Sequence, residues 1–212
     1  MIFVVIFKKM VFTGDLMSDF NNDLIKNVDL DMKKIKKLLG KERFQHTKSV
    51  LKAALKLSEQ LDVDLEKVKK AALLHDIAKS KNREELIELI RESKWQVDEL
   101  ELSITPVLHA PAGAVIAEKE FKIKDKEILE AIRYHSLGHP KMGKIAQVIY
   151  ASDFISGDRN FEGLNNIRLE IEINFENGLY LIVNHIIRYQ IEQNNMIHPY
   201  SNDLRNQLLK KK

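Results

Sequence analysis

Cysteine is absent from this chain of 212 residues, so no disulfide can brace the fold and no thiolate can bind a metal. Any metal site must therefore use nitrogen and oxygen ligands. Proline and glycine are scarce, with 4 and 8 residues, and they fall largely at the ends of predicted segments. Nothing in this composition indicates an oxidising compartment, and we expect a cytoplasmic protein.

Charge of one sign is not in excess either. The 34 lysines and arginines nearly balance the 31 aspartates and glutamates, which leaves a net charge of +3. This balance argues against a dedicated nucleic-acid binder and suits a protein that receives small anions. The apolar fraction of 44% is enough for the core of one domain.

Long hydrophobic runs are missing as well. Residues 1–7 are apolar, but they are too few to span a bilayer, and neither a basic region nor a cleavage site accompanies them. No membrane association and no signal peptide are therefore expected. Residues 1–31 are interpreted as an extension, either genuine and disordered or the result of a start assigned too far upstream. Met32 opens a lysine-rich amphipathic segment, and the domain itself is assigned to residues 32–212.

The apolar residues recur at helical spacing almost throughout the chain. Capping or terminating residues mark several helix boundaries: Gly40, Asp64, Asn82 with Glu85, Thr105 with Pro106, and Asp125. Further helices are predicted from about 144 to 154 and from about 175 to 193. No repeat and no convincing strand pair follows residue 32. The predicted fold class is all-α, a single helical bundle.

Side chains that bind transition metals occur at long and uneven intervals: His46, His75, Asp76, His109, His135 and Asp153. Imidazole and carboxylate hold divalent metals, and a metal beside a phosphate-sized pocket indicates hydrolysis of phosphoesters or phosphoanhydrides. The pair His75 and Asp76 closes the apolar run 71–74, so both side chains are expected to be half-buried and to need polar partners.

Each of these residues also has an ordinary explanation. His75 could be a helix C-terminal histidine with a capping partner, His46 a surface residue of a basic helix, and Asp153 a core carboxylate with its own partners. All of them together are less easily incidental than any one. Arg43, one turn before His46, could grip a phosphate with its guanidinium.

Small residues at 110–114 are interpreted as a loop that lets a ligand approach the backbone, and Pro111 is expected to loosen or kink its helix. Three other histidines carry less weight. His139 is either an incidental loop residue or an outer partner of the site, His185 a core or interface residue, and His198 an exposed residue of a turn.

Four segments resemble the motifs of a known family, in the same order and at compatible spacing: residues 74–79, 108–114, 131–135 and 149–155. They resemble the HD-domain superfamily of metal-dependent phosphohydrolases. Within it they look like the YqeK family of bacterial symmetrical bis(5′-nucleosyl)-tetraphosphatases. The resemblance covers about residues 33–210 and implies a helical HD domain with a metal at its centre.

The resemblance also implies an activity, cleavage of diadenosine tetraphosphate into two molecules of ADP. It assigns the metal, expected to be iron, to His46, His75, Asp76 and Asp153. Catalytic roles are expected for His109, His135 and Asp76, with the two histidines facing the phosphates or a second metal position. Contacts to a nucleoside diphosphate are expected from Arg43, Lys79, His109, Ala110, Pro111, Ala112, His135 and Arg159.

This sequence departs from the family pattern at three places. Ala110 stands where glycine is usual, Leu137 replaces a hydroxyl residue, and Ser156 replaces an acid. None of these removes an expected metal ligand, but each bears on substrate preference. The residues alone suit Fe²⁺, Mn²⁺ and Zn²⁺ about equally. Two other functions stay open, hydrolysis of another nucleotide and metal-dependent nucleotide binding without turnover. A homodimer is one option for the assembly.

Overall fold

The computed structural model describes Ile25 and residues 28–210, and all the regular secondary structure in that part of the chain is helical. The predicted all-α class is therefore confirmed. The expected extension, residues 1–31, lies almost entirely outside the described residues. The helices are α1 (Met32–Ser58), α2 (Leu65–Leu74), α3 (Arg83–Arg91), α4 (Glu99–Ser103), α5 (His109–Glu120), α6 (Lys126–Tyr134), α7 (Lys144–Ile155), α8 (Leu164–Ile173), α9 (Phe175–Glu192) and α10 (Pro199–Lys210).

Three of the predicted helix starts are confirmed by their hydrogen bonds. The side chains of Asp64 and Asp125 accept from backbone N–H groups in the first turns of α2 and α6. Asn82 and Glu85 form the reciprocal capping box at the start of α3. These caps satisfy N–H groups that have no partner inside their own helix.

Gly40 interrupts α1 as the sequence predicts. Its φ of 71° lies in the left-handed region, where glycine carries no steric penalty, and the helix continues in a new direction after it. The second part of α1 carries Arg43 and His46, so this break sets how both side chains approach the centre of the molecule.

Two local predictions around residue 105 are wrong. Thr105 does not cap an α-helix, because its hydroxyl accepts a hydrogen bond from Arg83 at 2.7 Å and residues 105–107 form a 3₁₀ turn. Residues 110–114 are not a loop but the buried beginning of α5. Pro111 lies in the first turn of that helix, where a missing N–H is tolerated, and α5 has no kink there.

The core forms where α1, α2, α6 and α7 pack against one another, with α5 lying against α6 and α3. Helices α8 and α9 pack against each other beside α7, and α10 packs on α9. Inside the core, the guanidinium of Arg133 in α6 donates two hydrogen bonds, 2.6 and 2.8 Å, to the carboxylate of Glu101 in α4. None of the described helices is both long and apolar enough to cross a bilayer.

Candidate metal centre

All six predicted metal-site residues meet in the middle of the bundle, although five different segments supply them. His46 lies within α1 and Asp153 within α7, whereas the other four occupy helix ends. His75 is the C-cap of α2 and His135 that of α6, Asp76 follows His75, and His109 is the first residue of α5. At a helix end a side chain can reach the bundle centre without passing through packed apolar neighbours.

Asp76 lies at the centre of this cluster. Its Oδ1 lies 3.2 Å from Nε2 of His109 and 3.6 Å from Nε2 of His135. Its Oδ2 lies 3.7 Å from Nε2 of His75 and 3.8 Å from Nε2 of His46. One carboxylate thus faces all four imidazoles.

The ligand atoms fall into two triads. His46, His75 and Asp153 place one donor atom each within 4.8 Å of one another, and Asp76, His109 and His135 do the same. The shortest link in the first triad is 3.0 Å, from Nε2 of His46 to Oδ1 of Asp153. Because Asp76 also faces His46 and His75, the geometry accommodates one ion or two.

Three of the histidines are oriented by the backbone. The Nδ1 atoms of His75, His109 and His135 lie 2.7, 2.8 and 2.8 Å from the carbonyl oxygen three residues earlier in the chain. A carbonyl only accepts, so each Nδ1 carries the proton and each Nε2 is left with a lone pair directed at the cluster. The expected capping partner of His75 exists, and it also prepares the ring to bind a metal.

His46 is oriented by a residue that sequence reasoning missed. Its Nδ1 lies 2.8 Å from Oδ2 of Asp158, which leaves Nε2 pointing towards Asp76 and Asp153. Asp158 stands in the segment after α7, between the motif at residues 149–155 and Arg159, but it belongs to neither. Its spacing of five residues from Asp153 gives no periodic signal.

The cluster concentrates electron pairs in a way that a cation would relieve. Nε2 of His46 and Nε2 of His75 are buried without a hydrogen-bond partner among the described residues. Nε2 of His109 lies 3.0 Å from Nε2 of His135, and both face Asp76. Lone pairs and carboxylates that converge in a buried space repel one another, and a divalent ion fits this donor set.

The ionisation of the cluster agrees with metal binding. Burial lowers the pKa of His75, and it lowers the pKa of His109 to about 4, so both are neutral at pH 7. Burial by itself would raise the pKa of Asp76 and Asp153, but the surrounding histidines outweigh it and hold both pKa values well below the usual range. Neutral imidazole and ionised carboxylate are the forms that ligate metals.

His46 differs from the other histidines. Burial by itself would lower its pKa, but the negative charges of Asp153 and Asp158 beside its two ring nitrogens outweigh that effect, so the pKa of His46 is raised. Asp158, which accepts from Nδ1–H, strengthens Nε2 of this imidazole as an electron donor.

Three cationic side chains surround the cluster. Arg43 donates to Oδ2 of Asp76 at 3.1 Å, Arg159 donates to Oδ1 of Asp153 at 2.9 Å, and Nζ of Lys79 lies 3.2 Å from the His109 ring. Arg43 and Arg159 are only partly shielded, with side-chain exposures of 40% and 45%. Part of each guanidinium is therefore free to contact an anion from solvent.

Two cavities open beside the cluster and share Arg159. The larger, of about 830 Å³, is lined at one end by Lys79, His135 and Asp153 and continues to the apolar side chains of α9 and the segment that follows it. The smaller, of about 510 Å³, is a groove along the start of the second part of α1 that includes Arg43 and His46.

Other residues singled out from the sequence have different surroundings. Ala110, Pro111 and Ala112 are buried in α5 and line neither of these cavities. His139 stacks on Tyr134 at 4.5 Å, outside the cluster. His185 is half-buried on the wall of the larger cavity.

The prediction that His198 is exposed is wrong. Only 1% of it is accessible, and its Nε2 lies 3.0 Å from Oδ2 of Asp98. The ring centroids of His198 and Tyr200 are 4.4 Å apart, so packing of the C-terminal segment covers His198.

Ser156 stands where the family pattern has an acid. Its hydroxyl donates to the backbone carbonyl of Asp153 at 3.1 Å.

Comparison with known proteins places this geometry among hydrolases. Residues 43–158 match the family model described as HD domain. The symmetrical bis(5′-nucleosyl)-tetraphosphatase of Halalkalibacterium halodurans is 33% identical over 82% of this chain and 93% of that protein. The protein of the same name from Bacillus subtilis is 32% identical over 78% and 88%. A crystal structure of a predicted HD superfamily hydrolase involved in NAD metabolism from Clostridium acetobutylicum has a TM-score of 0.80 at 27% identity, covering 92% of this chain and 98% of that one.

Proposed function

The chain belongs to the HD-domain family, and we propose that it hydrolyses dinucleoside tetraphosphates symmetrically, so that diadenosine tetraphosphate yields two molecules of ADP. The observation that carries this proposal is that three cationic side chains contact two adjacent His–Asp triads. Metal ligands beside cations suit a phosphate chain, and the relatives that align over nearly their whole length bear the name of this activity.

The metal would be held by His46, His75, Asp76 and Asp153, and we propose iron as the ion, with Mn²⁺ or Zn²⁺ as chemically acceptable substitutes. A bound divalent ion supplies Lewis-acid chemistry, since it polarises phosphoryl oxygens and acidifies water. His109 and His135 complete the second triad and face the same space, so they contact either the phosphates or a second ion.

The protein's own cations bind and orient the substrate. Arg43 and Arg159 flank the cluster on the side of the groove, and Lys79 flanks it on the side of the larger cavity. A tetraphosphate bridge carries several negative charges, and three cations placed around one point neutralise it while leaving an inner phosphorus at the cluster. Contacts from Ala110, Pro111 and Ala112 would be indirect, because these residues shape the start of α5, where His109 is anchored.

His109, His135 and Asp76 are the proposed catalytic residues. His109 is neutral at pH 7, because burial lowers its pKa to about 4, so its Nε2 accepts rather than donates a proton. Asp76 faces that atom at 3.2 Å and stabilises the charge that the ring gains on protonation. His135 lies on the other side of Nε2 of His109, at 3.0 Å, and can relay the proton.

The test is turnover of diadenosine tetraphosphate with added Fe²⁺ in the wild type and in His75→Ala. We expect ADP as the sole product and loss of at least 100-fold in kcat/KM for the variant, with its helicity unchanged by circular dichroism. His139→Ala is the matched control, since that histidine lies outside the cluster.

Two results would contradict the proposal. Formation of AMP and ATP would mean asymmetric cleavage. Tight binding of ADP without any turnover would instead indicate a nucleotide-binding regulator.

For the chain as a whole, we propose that residues 32–212 form one domain that acts in the cytoplasm, with residues 1–31 as an extension. Analytical ultracentrifugation would distinguish a monomer from the homodimer that the sequence leaves open.

A further inference from the structure

The turn that follows α7, from Ser156 to Arg159, carries two side chains that contact the cluster. The N–H of Arg159 donates to the carbonyl of Ser156 at 3.0 Å, which closes the turn. From this turn the carboxylate of Asp158 reaches Nδ1 of His46, and the guanidinium of Arg159 reaches Asp153. A change in the path of the turn would therefore move both contacts together.

Arg168 of α8 binds the main chain at this turn in three places. Its Nε donates to the carbonyl of Ile155 at 2.9 Å. Its Nη2 donates to the carbonyls of Ser156 and Arg159 at 2.6 and 3.2 Å, and its Nη1 donates to the side-chain oxygen of Asn165 at 3.3 Å. A guanidinium is planar and presents its N–H groups in a fixed fork, so carbonyls bound in this way are held in one relative arrangement.

Capping of α7 explains only part of this contact. The carbonyl of Ile155 belongs to the last turn of α7, where a carbonyl has no partner inside the helix and a cation is favourable. The carbonyl of Arg159 lies four residues beyond that helix, and a cap would not need it. Arg168 therefore fixes the turn as well as the helix end.

Ser49 of α1 holds the opposite side of the turn. Its Oγ accepts from the N–H of Gly157 at 2.8 Å, and a Cβ added at Gly157 would lie 3.3 Å from that oxygen. His46 stands three residues before Ser49 in the same helix, so α1 both holds the turn and receives the carboxylate of Asp158. The turn is thus fixed between α1 and α8.

Arg168 itself lies outside the site. It is half-buried and lines neither of the two cavities, whereas Asp158 and Arg159 both line the groove. Any effect of Arg168 on the cluster must therefore pass through the turn.

We propose that Arg168 is a positioning residue of the metal centre: by binding the carbonyls of the turn, it keeps Asp158 on His46 and Arg159 on the cluster. It touches neither the metal nor the substrate. Without its fork the turn is released, His46 loses the group that orients it, and Arg159 leaves its place. The part that concerns Arg159 rests on the proposed hydrolysis, whereas the part that concerns His46 does not.

The first arm of the test measures metal binding. Calorimetric titration of the metal-free protein with Mn²⁺ would compare the wild type with Arg168→Lys, which keeps the charge but has no planar fork. Loss of a group that supports a ligand costs roughly 10- to 100-fold in metal affinity, so the Kd of Mn²⁺ should rise by that factor. The matched control is Arg205→Lys, because Arg205 is also half-buried and also joins two helices, through Asn184, but lines neither cavity. Its Kd should stay within twofold.

A double-mutant cycle separates positioning from general destabilisation. If Arg168 acts through Asp158, the double variant Arg168→Lys with Asp158→Asn should bind Mn²⁺ within about twofold of Asp158→Asn alone. A merely structural loss would add to the effect of Asp158→Asn, so full additivity would overturn the proposal. An unchanged Kd in Arg168→Lys would overturn it as well.

The ¹⁵N NMR signals of the imidazole nitrogens provide a readout that needs no metal. Arg168→Lys should shift the signals of His46 in the same direction as Asp158→Asn does. Those of His75 and His135 should stay in place, because main-chain carbonyls hold these two rings. Equal shifts of all three histidines, or no shift of His46, would contradict the assignment.

A second variant, Ser49→Ala, releases the other side of the turn. It should raise the Kd of Mn²⁺ and shift the signals of His46 in the same direction, which keeps the test decisive if Arg168→Lys does not fold. If Ser49→Ala leaves both readouts unchanged in that case, the proposal fails.

The last arm uses the proposed reaction. In Mn²⁺-saturated protein, Arg168→Lys should raise KM for diadenosine tetraphosphate by about tenfold, the value of one hydrogen bond from a charged group. Adding Arg159→Ala should raise KM little further. An unchanged KM would overturn the part of the proposal that concerns Arg159. Absence of turnover in the wild type would refute the proposed function, and the Mn²⁺ and NMR arms would still decide the role of Arg168.

Discussion

Four histidines of the cluster are each held at Nδ1, and only His46 is held by a carboxylate. The other three depend on main-chain carbonyls, which no side-chain substitution removes. Asp158 is therefore the one orienting group of this kind that mutation can test. It is also partly exposed, at 44% of its side chain, so its replacement leaves no buried charge behind.

Asp158→Asn should weaken divalent-metal binding without unfolding the protein. The amide cannot supply the negative charge that strengthens His46 as a ligand, and changes of this type cost about 10- to 100-fold in metal affinity. Calorimetric titration of the metal-free protein with Mn²⁺ would measure it, with Asp62→Asn as the control, a residue that takes no part in the cluster. Affinity within twofold of the wild type would show that Asp158 does not support the site.

At this scale the sequence indicated which residue types gather in the cluster but not which groups orient them. Imidazoles and carboxylates next to apolar runs could be recognised because buried polar groups need partners. The orientation of each ring could not be predicted from the sequence. Three of the rings are oriented by a backbone carbonyl one turn away, and His46 is oriented by Asp158, which only the folded chain brings next to α1. His198 was assigned to the surface for the same reason, because its cover comes from residues distant in sequence.

Among the helices, the pair α8 and α9 depends on one close approach. A Cβ added at Gly178 in α9 would lie 2.4 Å from Cα of Ile171 in α8, a contact that side-chain movement cannot relieve because a backbone atom is involved. The two helices meet here because glycine has no side chain. Helix α9 carries His185, Ile186, Ile187 and Tyr189, which line one side of the larger cavity.

Gly178→Ala should destabilise the protein by about 1–3 kcal/mol, the usual cost of overpacking a core contact. Urea unfolding followed by circular dichroism would measure the loss, and Ile173→Ala, at a position 81% exposed, should stay within about 0.5 kcal/mol. Equal effects of the two substitutions would mean that the helices do not meet at Gly178. In the proposed function, the same variant should raise KM for the dinucleotide.

Helix boundaries were predictable where a cap is local. Asp64, Asn82 and Asp125 bond to backbone groups within three residues, so their sequence is sufficient. The cap predicted at Thr105 is absent because the hydroxyl of Thr105 accepts a hydrogen bond from Arg83, which is 22 residues away in the sequence. The start of α5 was read as a loop because small residues and a proline are common in loops, and only tertiary burial favours a helix there.

For the molecule as a whole, the cluster should make stability depend on pH. The pKa of His109 falls to about 4 from an ordinary value of 6.5, and that of His75 is also lowered, so the folded protein keeps both neutral where the unfolded chain takes up protons. Their contribution is present above pH 6.5 and is lost as the pH falls towards 4. His46, with its raised pKa, acts in the opposite direction and reduces the slope.

Metal-free protein should therefore lose stability between pH 7.5 and 5, with His109 alone contributing on the order of 2 kcal/mol. The carboxylates add nothing in this window, because their pKa values are lowered and their contribution is lost only below about pH 4. Calorimetric Tm values in the presence of a chelator would measure the slope, and His109→Gln should flatten it. An unchanged slope in the variant would assign the pH dependence to other groups.

The matched HD segment ends at residue 158, and both His–Asp triads lie inside it. The lining of the larger cavity is divided at that point, because Lys79, Tyr150 and Phe154 precede it whereas Phe161 and His185 follow it. Substitutions after residue 158 can therefore change one side of the cavity without replacing any residue of the triads. Selectivity for a ligand and the capacity to hold a metal can thus vary independently in this fold.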